Sequence, residues 1–223
     1  YRHYSHQDDT GSHQPVSILQ IMRVLVTGGS RGIGKAIVDL FSRNGHSVYS
    51  PSREELDLSK PVSLTRREFD IVINCAGINP IKFVDSIMDE EVMRTNYTSP
   101  LEIIQQCVPY MVQQSYGRII NIGSIWIDTA KQGRLAYSAS KNALHALTKA
   151  IVVEYGHYGI IANTISPGFI ETDLTYQNNS PEDILKMIHN IPLSRLGTPE
   201  EVAKLVYQPV SYTHLRAHET RED

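Results

Sequence analysis

The sequence predicts an α/β domain in which a parallel sheet carries helices on both faces. Three observations lead there: continuous apolar runs of strand length, amphipathic segments between them, and a glycine-rich turn joining the first run to the first helix. Strands buried on both faces lose the apolar and polar alternation of a half-exposed sheet. Parallel neighbours also need a connection long enough to hold a helix.

The first strand is "MRVLVT" (22–27). After the turn comes "GKAIVDLFSRNG", where Ile37, Leu40 and Phe41 recur at helical spacing and Gly45 is a C-terminal stop. Further buried strands are expected at 47–50, 70–77, 117–124 and 159–166, with helices at 99–115 and 136–156. The stretch 58–69 is short, so the sheet edge there should be trimmed. No internal repeat or low-complexity linker divides the chain, and residues 22–208 are read as one domain.

Both ends fall outside this pattern. "YRHYSHQDDTGSHQ" (1–14) is polar and aperiodic, and Met22 stands directly before the first strand, so residues 1–21 read as a translated upstream extension. "VSYTHLRAHET" (210–220) resembles a transposase sequencing adapter translated in one frame; residues 209–223 are therefore read as an adapter-derived tail, joined at about Gln208 or Pro209. His3 with His6, and His214 with His218, have metal-ligand spacing on a helix, but all four lie in these ends and no metal site is expected.

A formal net charge of −3 argues against a nucleic-acid surface. No apolar run reaches the roughly eighteen residues of a membrane span, and no secretory signal is recognisable. A cytoplasmic protein is expected. Cys75 and Cys107 have neither metal nor redox-motif spacing and read as reduced core thiols.

Chemistry concentrates in two places. In "TGGSRGIG" (27–34), Gly28, Gly32 and Gly34 allow a tight turn and leave the amides of the helix N-terminus free for a pyrophosphate. In "RLAYSASKNAL" (134–144), Tyr137 and Lys141 are four residues apart, which places them on one helix face.

Thr27-Gly28-x3-Gly32-x-Gly34, Asn74-x-Ala76-Gly77, Asn96, Ser124, Tyr137-x3-Lys141 and Pro167-Gly168-x3-Thr172 follow the order and approximate spacing of the short-chain dehydrogenase/reductase family. "IPLSRLGTPEEVA" (191–203) looks like its substrate lid and following helix, so the resemblance covers about 22–207. Within the family the 3-oxoacyl-carrier-protein reductases are the most similar in appearance.

The resemblance implies a Rossmann-like, doubly wound sheet whose last strand is missing here, replaced by the adapter-like tail. It also implies an oxidoreductase moving hydride between a nicotinamide and a carbonyl or secondary alcohol, working as a homo-oligomer without nucleic-acid or membrane partners. Tyr137 would be the acid/base. An isolated tyrosine, with a pKa of about 10, is a poor base near neutrality, and the Lys141 ammonium is expected to lower it. Ser124 would hold the substrate oxygen, and Asn96 would kink its helix and hold a water linking Lys141 to solvent.

The cofactor residues implied are Gly28, Ser30, Arg31, Gly32, Ile33, Gly34, Arg53, Asp57, Leu58, Asn74, Ala76, Gly77, Tyr137, Lys141, Pro167, Gly168, Ile170 and Thr172. "VYSPSR" (48–53) has no acid at the end of the second strand, and Arg53 stands there with Arg31 in the glycine turn. Ser30, Ser50 and Ser52 add hydroxyls. NADP(H) is expected over NAD(H), with Glu54 and Glu55 as counter-indications.

Trp126 reads equally as pocket wall or core. Arg134 reads as solvent-facing, with reception of an anionic substrate group as the alternative. The competing functions are a sugar-nucleotide reductase or epimerase of the same superfamily, and a non-catalytic NADP sensor.

Overall fold

The computed structural model describes residues 21–85, 90–129 and 131–211. All four paired histidines lie outside them. Five strands form one sheet: β1 (Arg23–Thr27), β2 (Ser47–Tyr49), β3 (Ile71–Asn74), β4 (Gly117–Ile122) and β5 (Ile160–Ile165). The helices are α1 (Gly32–Arg43), α2 (Glu90–Met93), α3 (Ser99–Gln113), α4 (Leu135–Tyr155), α5 (Asp173–Gln177), α6 (Pro181–Asn190) and α7 (Pro199–Ser211).

The strand order is β2-β1-β3-β4-β5, and every pair is parallel. One register row runs Tyr49, Leu25, Val72, Ile119, Ala162 across the sheet. The chain leaves β1 for β2 on one side and returns to β3 on the other. The connections after β1 and β3 therefore diverge, and a crevice opens above their C-terminal ends.

The side-chain period of two divides the core. Val24, Val26, Ile71, Ile73, Ile120 and Ile122 face a cluster containing Ile37 and Phe41 of α1 and Val202, Ala203 and Val206 of α7. Leu25, Val72, Ile119 and Ala162 face the opposite cluster, with Ile103, Cys107 and Met111 of α3 and Ile151 of α4. This two-sided burial is why the strands read as continuous apolar runs. Phe41 meets Tyr207 edge-on at 5.0 Å between ring centroids, fastening α1 to α7.

Gly45, at φ +81°, follows the end of α1 as the sequence predicts. The trimmed edge is also present: β2 has three residues, and no strand lies between it and β3. In place of a strand, Leu58, Leu64 and Phe69 drop into the second cluster. At the other end, α7 continues through Pro209 and buries Val210, so the described helix crosses the expected join. Among the described residues, no helix is long and apolar enough to cross a membrane.

Candidate functional site

Thr27 closes β1, and its Oγ1 accepts the N–H groups of Cys75 and Ala76, each at 3.1 Å. This ties the end of β1 to the chain leaving β3. Gly28 has φ +73°, and a Cβ there would stand 2.8 Å from the Ala76 Cα; a Cβ on Gly34 would run into the Gly28 carbonyl. Glycine is required at both positions by contact with backbone. Arg31 precedes α1 in extended conformation without capping it by its side chain, and the first turn contains no acid. Its amides are thus available to an anion.

Ser30, Arg31, Gly32, Ile33 and Gly34 line a cavity of about 470 Å³. Ser124, Tyr137 and Lys141 line the same cavity. Pro167, Gly168, Ile170 and Thr172, from the segment after β5, also line it.

Lys141 is only 3 % exposed. Its Nζ donates to the Ile122 carbonyl at 2.7 Å and lies 5.7 Å from the centroid of the Tyr137 ring. Burial brings the ammonium down to about 8, against a weaker opposing influence of the Cys75 thiol. The Tyr137 phenol is raised by burial, while a hydrogen bond with Ser124 and the Arg134 charge pull it down. The net shift of this phenol is therefore upward, where the sequence reading expected it lowered beside Lys141. Desolvation wins, and the opposing groups are Ser124 and Arg134. Ser124 Oγ also accepts the Trp126 N–H at 3.3 Å, capping the 3₁₀ turn Ile125–Ile127.

Asn96 sits in a π-turn, Arg94–Thr98, between α2 and α3. Pro100 has no N–H to return to the Asn96 carbonyl four residues back, and the Ser99 N–H reaches Arg94 instead. The helix is interrupted where the sequence predicts a kink. The fully buried Asn96 side chain accepts from Ile78 N–H and donates to Ile78 C=O, both at 2.9 Å, and donates to Ser140 Oγ at 3.1 Å. It fixes the loop after β3 and does not line the cavity.

Ala76, Gly77, Asp57 and Leu58 line the cavity; Asn74 does not. Asn74 is buried among the strands and donates to Asn121 Oδ1 at 2.8 Å. Arg53 lines the cavity with its side chain 77 % exposed, 3.8 Å from Asp57 and 4.0 Å from Glu91. Asp57 accepts from the N–H and hydroxyl of Ser59, bonds that hold its carboxyl at about 2. Glu55 accepts the Ser52 N–H at 2.8 Å, and neither it nor Glu54 lines the cavity. Ser50 turns away to the Val26 carbonyl, so its expected contribution is structural.

Two further placements differ from the sequence reading, those of Arg134 and Cys75, and the open choice for Trp126 falls to the cavity wall. Arg134 is 4 % exposed, not solvated, and its Nη1 donates to the Asn79 carbonyl and Oδ1 at 2.9 and 2.8 Å. Cys75 is part of the cavity wall, while Cys107 is fully buried in the core. Trp126 lines the cavity, edge-on to Phe169 with centroids 5.9 Å apart.

Sequence reasoning missed Asn79. Two bonds tie the cavity wall to the segment between α5 and α6: Asn178 donates to the Asn79 carbonyl at 3.2 Å, and Lys131 Nζ to Asn179 Oδ1 at 3.3 Å. These bonds join residues far apart in sequence, and no local spacing announces them.

A family model described as enoyl-(acyl carrier protein) reductase matches residues 58–211. The 3-oxoacyl-[acyl-carrier-protein] reductase of Vibrio cholerae is 33 % identical, covering 82 % of this chain and 86 % of its own length. The Escherichia coli reductase of that description is 31 % identical, with coverages of 82 % and 86 %. Among solved structures, a 4-hydroxyisoleucine dehydrogenase mutant complexed with NADH and succinate superposes with TM-score 0.77 at 28 % identity, covering 85 % of this chain and 90 % of that one. The Thermoplasma acidophilum aldohexose dehydrogenase gives TM-score 0.74 at 26 % identity, with coverages of 83 % and 85 %.

Proposed function

The chain belongs to the short-chain dehydrogenase/reductase family of NAD(P)-dependent oxidoreductases, and from that premise we propose that it is an NADP(H)-dependent carbonyl reductase with Tyr137 as general acid. The observation that carries this reading is that Ser124, Tyr137 and Lys141 line the same cavity as the glycine turn of α1. The glycine turn fits a dinucleotide: a Cβ at Gly28 or Gly34 would meet backbone, and uncommitted amides face the cavity.

When bound, the nicotinamide supplies or accepts the hydride. Tyr137, raised by burial, keeps its proton near neutrality and delivers it to the substrate oxygen. Ser124 holds that oxygen with its hydroxyl. Lys141, anchored on Ile122, presents a positive charge that stabilises the phenolate left behind. Asn96 acts as a positioning residue through Ile78.

The NADP(H) preference rests on Arg53, with Ser30, Arg31 and Ser52 beside it in the same cavity, while Glu54 and Glu55 stay outside it. A guanidinium attracts a 2′-phosphate, whereas a carboxylate would repel it. Glu91 and Asp57 also reach this cavity, and Arg53 lies near both.

NADPH oxidation over a panel of carbonyl compounds, with Tyr137→Phe measured beside the parent chain, tests the reading. Turnover should fall by about 10²–10⁴ in the variant while NADPH still binds. Equal rates in both proteins would remove Tyr137 from the mechanism.

A further inference from the structure

Two cations, Arg134 and Lys131, line the cavity with Ser124 and Tyr137, and among the described residues no carboxylate is bonded to either. Gly133, at φ +72°, closes a turn in which the Arg134 N–H bonds the Lys131 carbonyl at 3.2 Å. That turn brings both side chains to the wall shared by the cavity and a second recess under α6. Arg134 spends Nη1 on Asn79, a neutral partner. Its Nε and Nη2 bond no described residue, and the side chain lines the cavity.

Lys131 likewise bonds only the neutral Asn179 and stands 5.9 Å from the Trp126 ring centroid. Burial and the Arg134 charge both lower its pKa. Asp183 is the acid that acts on it, and that carboxylate already accepts the Ser180 hydroxyl at 2.8 Å. Lys186 adds a third cation to the second recess, leaving Asp183 as the acid lining it. Like charges gathered in a desolvated wall are costly unless an anion joins them.

We propose that Arg134 and Lys131 form a carboxylate subsite, so that the carbonyl compound reduced here is a short oxo acid. Arg134 precedes the first residue of α4, three positions before Tyr137, and its charge acts on the Tyr137 phenol, so the carboxylate would sit close to the reacting carbonyl. The planar guanidinium suits a carboxylate better than a point charge would. The subsite gives a substrate class to the reductase reading and rests on it, but anion binding is measurable without turnover.

Trp126 is the only tryptophan in the chain and lines the same cavity. Its emission can follow a titration of the full chain with succinate, beside the uncharged dimethyl ester. Saturable binding of the dianion and none of the diester is expected. Lys131→Met, at a half-buried position, should raise the succinate Kd about tenfold, and Arg134→Met should raise it further if that variant folds. Binding of the diester as tight as that of succinate, no response to succinate, or unchanged affinity in Lys131→Met would each overturn the subsite.

Turnover separates the two claims. An oxo acid should exceed its methyl ester about tenfold in kcat/KM, mainly through KM. Preference for the ester would sink the subsite and leave the reductase standing. Succinate binding without reduction of any carbonyl would do the reverse.

Discussion

The Lys141 ammonium donates to the Ile122 carbonyl, 2.7 Å away at the end of β4. A neutral acceptor fixes the position of the charge without neutralising it, and burial lowers the ammonium to about 8. Carbonyl reduction should therefore be level up to about pH 8 and fall above it as the charge is lost. Stability runs the other way. Because the folded value lies below the ordinary 10.5, the buried charge is a cost at pH 7 that is relieved as pH rises from about 8 towards 10.5. Lys141→Met should melt at or above the parent at pH 7 while losing about 10² or more in kcat. A reduction rate that climbs through pH 8–9 would contradict this role.

The proposed preference for NADP(H) turns on Arg53. It is 77 % exposed and paired only at 3.8 and 4.0 Å, so removing it should disturb the fold little. Arg53→Ala should raise the KM for NADPH about tenfold and leave that for NADH nearly unchanged, a screened charge-assisted contact being worth about one power of ten. Steady-state kinetics with both coenzymes would show it; equal change in both would remove the phosphate-binding role.

The sheet was legible because its strands are buried on both faces, which makes Val24–Val26 and Ile71–Ile73 continuous apolar runs. The glycine turn was legible because backbone sterics admit no other residue at Gly28 or Gly34. What escaped were relations set by tertiary packing. Arg134 has the composition of a surface residue, yet Asn79, fifty-five positions away, draws it inward. Asn74 belongs to a family motif but turns to Asn121 on the next strand, away from the cavity. The direction of the Tyr137 shift was missed because spacing reports the nearby ammonium and says nothing of how much solvent the phenol loses.

Asn96 is a stability determinant as much as a site residue. Its amide satisfies both backbone groups of Ile78 and meets Ser140 Oγ. Asn96→Ala strands these partners in the interior, at ~1–3 kcal/mol for each group left unsatisfied. A loss of about 3 kcal/mol would lower Tm by about 6–12 °C for a chain of this size. Calorimetry of the variant measures it, and a shift under about 2 °C would mean that water replaces the amide.

Gly34→Ala separates binding from folding. The added methyl collides with the Gly28 carbonyl, and the turn can yield only by moving the α1 amides. NADPH titration should show at least a tenfold loss of affinity with the far-ultraviolet circular dichroism retained. Unchanged affinity would show that the turn relaxes without displacing those amides.

The thiol of Cys107 sets an alkaline limit on the fold. It is fully buried on α3, and burial pushes it up to about 12 from an ordinary 9.0. Below pH 9 both folded and unfolded chains keep this proton, so the contribution is intact. Between about 9 and 12 the unfolded chain releases a proton that the folded one retains, and stability falls by ~1.4 kcal/mol per pH unit from this group. Cys75, also pushed up to about 12, adds a parallel loss, while Lys141 opposes both up to its ordinary 10.5. The contribution of Cys107 is isolated by urea unfolding of the parent and Cys107→Val at pH 8, 9.5 and 10.5. The difference in their stabilities should shift towards the variant as pH rises, because valine has no proton to lose. Parallel pH dependences would mean that Cys107 ionises alike in both states, which its burial among Val72, Ile103 and Ile119 forbids.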